Sequence, residues 1–177
     1  MENQNLTNQS EKKPQMAEAD RLIQVLIRDF SQHIEKETEP FVILLKGHLL
    51  LEYYLNQVIL LSTTGVKNVE RKGFYEKVFL VETTDKNIFK TKTFNSLKKL
   101  NELRNRLSHT LNFKITPSEI DPVGFCFEKE YVLKKYNNPD DEAFLLKWVL
   151  MKIAQDVFYS IYAEISKSKG LTPLSRG

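Results

Sequence analysis

Only one cysteine, Cys126, stands in the 177 residues. That excludes an internal disulfide and any zinc site built from several thiolates. The lone thiol reads most simply as a small buried apolar group. Glycine and proline are scarce too, six of each, which excludes collagen-like and low-complexity chains and argues against a turn-dense all-β architecture. The scattered glycines form no phosphate-cradling loop, and neither a nucleophile elbow nor a zinc-ligand spacing occurs. Charge of one sign is not in excess: 26 Lys and Arg against 23 Asp and Glu leave a net +3. That value by itself points to no nucleic-acid partner. Uninterrupted hydrophobic runs of membrane length are absent as well. Residues 41–61 come closest, but Lys46, His48, Glu52, Asn56 and Gln57 break the run, and charged groups cost roughly 3 kcal/mol each at the centre of a bilayer. The segment is therefore expected to be a helix in a protein core. Residues 1–15 are polar throughout, so no secretory leader, no membrane partner and a cytoplasmic location are expected.

What is present suits one globular domain. Hydrophobic residues make up 41% and charged residues 28%, an ordinary folded mixture. The expected organisation is a disordered tail over 1–15, a helical domain over 16–165 and a flexible tail over 166–177, where Gly170 and Pro173 act as breakers. Leu22, Leu26, Phe30 and Ile34 recur every four residues, predicting a helix from about 15 to 36. Pro40 suits the first turn of a second helix, which should run to about 61 and, apolar on most sides, lie centrally; Gly65 opens the loop after it. A shorter helix is expected over 74–81. Leu97, Leu100, Leu103, Leu107 and Leu111 mark the buried face of another over 94–111. Pro117, Pro122 and Gly124 make 116–138 read as an irregular insertion. The last helix starts near Pro139-Asp140-Asp141, with acids suited to a helix N-terminus. Leu146, Leu150, Ile153, Val157 and Ile161 form one of its stripes, and Phe144, Trp148, Met151, Phe158 and Tyr162 a second; both read as core. The fold class is all-α: an up-and-down bundle of four to five helices with an irregular insertion before the last long one.

Charge is unevenly distributed. From Lys90 to Lys114 seven basic residues face one acid, Glu102, and such a cluster either attracts phosphate or forms a solvated helix face. Inside it lies Leu103-Arg104-Asn105-Arg106-Leu107-Ser108-His109. This stretch resembles the Arg-x4-His signature of the HEPN superfamily (higher eukaryote and prokaryote nucleotide-binding), many members of which have a polar residue after the arginine. The similarity extends to Lys46-Gly47-His48-Leu49 through Leu55 and would cover roughly residues 40–165. Arg28 and His33 repeat the bare spacing on the first helix; the leucine periodicity, Asn105 and the late position favour 104–109.

The resemblance implies a metal-independent endoribonuclease of toxin or phage-defence type, or a mannitol-repressor-like regulator on the same fold without activity. It implies a homodimer with the motifs at a shared cleft, RNA as partner, and a cognate antitoxin or nucleotidyltransferase. Some toxin members carry a tyrosine two residues after the histidine for such a transferase to modify, and here Leu111 stands there. In active members the arginine and histidine work on an RNA phosphodiester. Carried over, His109 exchanges a proton with the attacking 2′-OH or the leaving oxygen, which suits an imidazole with an unperturbed pKa of about 6.5. Arg104 stabilises the charge on the phosphorane with its forked donors, and Asn105 positions a phosphate oxygen or the imidazole. Lys98, Arg106, Ser108, His48 and Glu52 are the candidate substrate-binding residues.

Helix geometry complicates this assignment. At about 100° per residue, Arg104 and His109 lie roughly 140° apart on an unbroken helix. Either the helix distorts before His109 or a second subunit completes the site. Structural alternatives stay open: Arg104 pairing with Glu52, His109 as a surface residue at a helix C-terminus, Ser108 at the surface, and His48, Glu52 and Asn56 as one wet edge. Gly47 allows close helix approach. His48 and Glu52 are too few for a metal site, and neither metal nor cofactor is expected.

Overall fold

The computed structural model describes residues 21–63, 65–84 and 88–168, and these are helical with no strand among them. The first helix, α1, is described over 21–34. It buries Ile23, Phe30 and Ile34 and packs Leu26 and Ile27 against the core, as the four-residue period requires. The expected start of α1 before residue 21, like the two tails at 1–15 and 169–177, lies outside the described residues. Helix α2, Pro40–Ser62, places its proline in the first turn. Gly65 then takes φ +89°, a left-handed turn that costs glycine little, and a short 3-10 turn follows at Val69–Arg71. Helix α3 is Phe74–Thr84 and α4 is Thr91–His109.

Seven α-helical segments occur among the described residues, more than the four or five expected, because the stretch read as an irregular insertion is itself helical. It holds α5, Pro117–Gly124, a 3-10 turn at Phe125–Phe127, and α6, Lys129–Asn137. Pro117 starts α5 where a proline costs nothing, and Pro122 sits within it. Glu128, at φ +52°, turns the chain into α6. Gly124 is required here: a Cβ on it would lie 2.3 Å from the Tyr131 ring.

Helix α7, Glu142–Ser168, begins on a cap, with the Asp141 carboxylate accepting the N–H of Phe144 at 2.8 Å, an N-cap bond that satisfies one orphan donor. It is the spine of the molecule and packs most extensively along α2. Gly47 lies at that crossing, where a Cβ would come within 2.4 Å of Leu150. Both apolar stripes of α7 face inward: Leu146, Leu150, Ile153, Val157, Phe158 and Ile161 are buried, and Phe144, Trp148 and Met151 pack at the margin. The tail expected from 166 begins inside this helix, whose Ser166 is buried. Cys126, expected buried, is only half-buried; its surroundings still push the thiol pKa up by desolvation.

Buried hydroxyls stitch the helices. Ser96 donates to the Val123 carbonyl at 2.8 Å, Thr93 to the Asp156 carboxylate, and Tyr54 to Asp29 at 2.6 Å. Among the described residues, no helix is long and apolar enough to cross a membrane.

Candidate functional site: a polar seam between three helices

On α2 the residues His48, Glu52 and Asn56 follow one another by four, so they share a flank of the helix. The wet edge that this line suggested is instead largely a packed seam against α3 and α4. His48 is 5% exposed. Its ring stacks on Phe74 of α3 at 4.0 Å, and its Nε2 hydrogen faces Asn101 Oδ1 of α4 at 3.3 Å. Burial lowers the imidazole pKa; the Asn101 bond and Glu52 raise it, while the Arg104 and Lys77 cations lower it further, and the net direction is down. His48 is therefore a neutral imidazole at neutral pH.

Glu52 does not pair with Arg104. Its Oε1 accepts from Lys77 Nζ at 2.6 Å, and Lys77 is 1% exposed. Lysine 77 lies on the stripe that buries Phe74, Val78 and Val81, so its ammonium is carried into the α2–α3 interface and must find a carboxylate there. Asn56 has a buried Oδ1 without a hydrogen-bond partner.

Arg104 is half-buried on α4, close enough to His48 to depress its pKa. Its one hydrogen bond, from Nη1 to Asn105 Oδ1, is long at 3.4 Å. The neighbouring cations are spent. Lys98 binds both oxygens of Glu82 at 2.9 and 2.7 Å, and Lys99 binds Glu102 at 2.8 Å. Arg106 pairs with Glu119 of α5 and covers the Phe113 ring. Among the described residues, Arg104 alone of the four lysines and arginines from 98 to 106 lacks a carboxylate.

His109 is the last residue of α4 and is exposed. The helix does not distort before it: the Thr110 N–H still bonds the Arg106 carbonyl at 3.0 Å. Within one chain, then, Arg104 and His109 stay on different sides of a regular helix. Leucine 111, expected on the buried face, lies beyond the helix end and is 92% exposed, because the helix closes at His109 and the extended backbone of Thr110, φ −119° and ψ 110°, carries the chain away. Ser108 donates to the Asn105 carbonyl of its own helix at 2.9 Å. The second Arg-x4-His match is no cluster: His33 is exposed and faces Asp29 at 3.9 Å.

The fold thus brings together His48, Glu52, Arg104 and Asn105, and keeps His109, Lys98, Arg106 and Ser108 out of that seam. Asn101 and Lys77 belong to it and were missed. Both had a readable signal. Asn101 precedes Arg104, Asn105 and Ser108 at helical spacing, and Lys77 interrupts an otherwise apolar stripe. No three His, Cys, Asp or Glu side chains cluster as metal ligands among the described residues. In comparison with known proteins, the chain matches no family model, no curated protein and no solved structure.

Proposed function

We propose that the chain is a HEPN-like, metal-independent endoribonuclease of toxin or phage-defence type, with Arg104 of one copy and His109 of a second sharing a site. The observation that carries this is the uncompensated guanidinium of Arg104. It is half-buried beside a neutral imidazole and two asparagine amides, in a helix whose neighbouring cations all have carboxylates. A half-buried arginine without a counter-ion is a natural partner for a phosphate, which its forked donors fit in two parallel hydrogen bonds. The exposed imidazole of His109 is free to meet a 2′-OH or a leaving oxygen. Since the helix runs straight to residue 109, convergence requires two copies. An antitoxin or nucleotidyltransferase partner belongs to the same proposal, as does a cytoplasmic setting. The up-and-down bundle of the superfamily is its scaffold.

Cleavage of RNA by the purified chain in EDTA tests it. Cleavage should persist under chelation and fall by at least about 100-fold in His109→Ala, as expected when a general acid–base is removed. Loss of cleavage in EDTA, or an unaffected His109→Ala, would refute it.

One feature favours a second reading, a non-catalytic regulator or interaction module of mannitol-repressor type: His109 is exposed and its side chain has no hydrogen bond or ion pair among the described residues. On that reading the protein is inert toward RNA and its binding partners are indifferent to His109→Ala.

A further inference from the structure

Of the three histidines, His33 and His109 are exposed and His48 alone is enclosed by the fold. Phe74 stacks on one face of its ring at 4.0 Å, and Asn101 Oδ1 lies 3.3 Å from Nε2. An amide oxygen only accepts, so Nε2 carries the ring hydrogen and Nδ1 of the neutral imidazole keeps a lone pair. Nδ1 has no hydrogen-bond partner among the described residues. Nor is it sealed in: among those residues Asn56 Oδ1 is the only buried side-chain nitrogen or oxygen that lacks a partner. The lone pair therefore opens out of the seam. Arg104 follows Asn101 by one helical turn and is near enough to act on the ring through its charge.

We infer that His48 is the general base of the Arg104 site, accepting the 2′-OH proton on Nδ1, and that His109 of the second copy is the general acid. The inference rests on the nuclease reading and assigns the two ends of its reaction. A base must present a free lone pair in a fixed direction at the working pH. The Phe74 stack and the Asn101 bond fix the ring. Burial, with the cations Arg104 of α4 and Lys77 of α3, keeps it unprotonated against the opposing pull of Asn101 and of Glu52 on its own helix. As Nδ1 takes the proton, O2′ forms a bond to phosphorus and the P–O5′ bond breaks. O5′ keeps that electron pair and takes a proton from the His109 imidazolium, exposed at the end of α4. Arg104 balances the charge that gathers on the phosphoryl oxygens. The products are a 2′,3′-cyclic phosphate and a 5′-hydroxyl, and proton exchange with water resets both rings.

Unlike surroundings are what let one fold run a base and an acid of the same chemical type. A base held in the seam leaves a mark on the pH profile of kcat/KM. The imidazole pKa lies below its ordinary value, so the acid limb of the wild type should fall below about pH 6.5. Asn101→Asp keeps an accepting oxygen on Nε2 and adds a negative charge that favours the imidazolium. It should move the acid limb up by about 1–2 pH units. A histidine that only packs the seam gives no such shift.

The roles separate on a short RNA that the full chain cleaves, compared with the same RNA carrying sulfur in place of the scissile 5′-oxygen. A thiolate departs without being protonated, so the sulfur substrate needs the base and not the acid. On the oxygen substrate His48→Gln and His109→Ala should each lose at least about 100-fold. On the sulfur substrate His109→Ala should return to within about tenfold of the wild type, and His48→Gln should stay at least about 100-fold down. The assignment is overturned by a sulfur substrate that restores His48→Gln, by one that fails to restore His109→Ala, or by an acid limb unmoved in Asn101→Asp. An active wild type beside an unimpaired His48→Gln removes the base assignment and leaves the nuclease reading standing. A wild type that leaves RNA intact removes both.

Discussion

At the scale of single residues, the seam is held by groups whose environments differ more than their chemistry. The Lys77–Glu52 pair is lopsided, with the lysine 1% and the glutamate 25% exposed. Removing the two partners should therefore have unequal effects. Glu52→Ala leaves an ammonium buried without a counter-charge and should cost about 3 kcal/mol, at the low end for a broken buried pair. Lys77→Met fills the same volume and leaves a carboxylate that water can reach, so its cost should be under about 1 kcal/mol. Urea denaturation of the two variants reads the difference; equal losses would show that the lysine is not truly desolvated. His48 carries a pH signature of opposite origin. Burial lowers its pKa in the fold, while in the unfolded chain it titrates near the ordinary 6.5 or so. Its contribution to stability is complete above about pH 6.5. It falls as the pH drops below that value, because the unfolded chain then binds the proton more readily, with a limiting slope of about 1.4 kcal/mol per pH unit. His48→Gln, which keeps an amide within reach of Asn101, should flatten stability between pH 6.5 and 5 relative to the wild type. An unchanged difference across that range would contradict the burial of the imidazole.

At the scale of elements, the sequence spoke most clearly where periodicity and a terminal signal agree. Pro40 marks the start of α2, and Asp141 the start of α7, and the stripes of α7 are buried as their spacing requires. It misled where the two conflict. Pro117, Pro122 and Gly124 read as breakers, yet Ile120, Val123, Phe127 and Tyr131, all buried, keep a helical spacing through the break. Tertiary burial outweighs local propensity there. Leu111 continued a leucine series that the end of α4 at His109 and the extended Thr110 cut short. In the seam, Arg104, Asn105, His48 and Glu52 were recoverable from motif and spacing. The partner choices were not, because a sequence does not say that Glu52 is taken by a lysine from α3, or that Glu82 and Glu119 claim Lys98 and Arg106. The α5–α6 unit makes its own prediction. Gly124→Ala drives a methyl into the Tyr131 ring, a rigid neighbour that is fully buried. It should cost about 1–3 kcal/mol, the range for overpacking. A thermal midpoint unchanged from the wild type would mean that α6 moves aside freely.

At the scale of the whole molecule, one chain presents half of what the proposed chemistry requires. Arg104 sits in a seam made by α2, α3 and α4, and His109 stands in solvent at the end of the same straight helix. Shared sites of this kind complement one another. Arg104→Ala and His109→Ala homodimers each lack one group at both sites, but a mixed dimer assembles one intact site from its two chains. The decisive measurement is RNA cleavage in EDTA by the two inactive variants, separately and after mixing and re-equilibration. Each alone should be inert, and the mixture should recover about a quarter of the wild-type rate, since half of the dimers are mixed and each of those has one site of two. A mixture as inert as its components, beside an active wild type, would contradict a site shared between Arg104 and His109 of different copies.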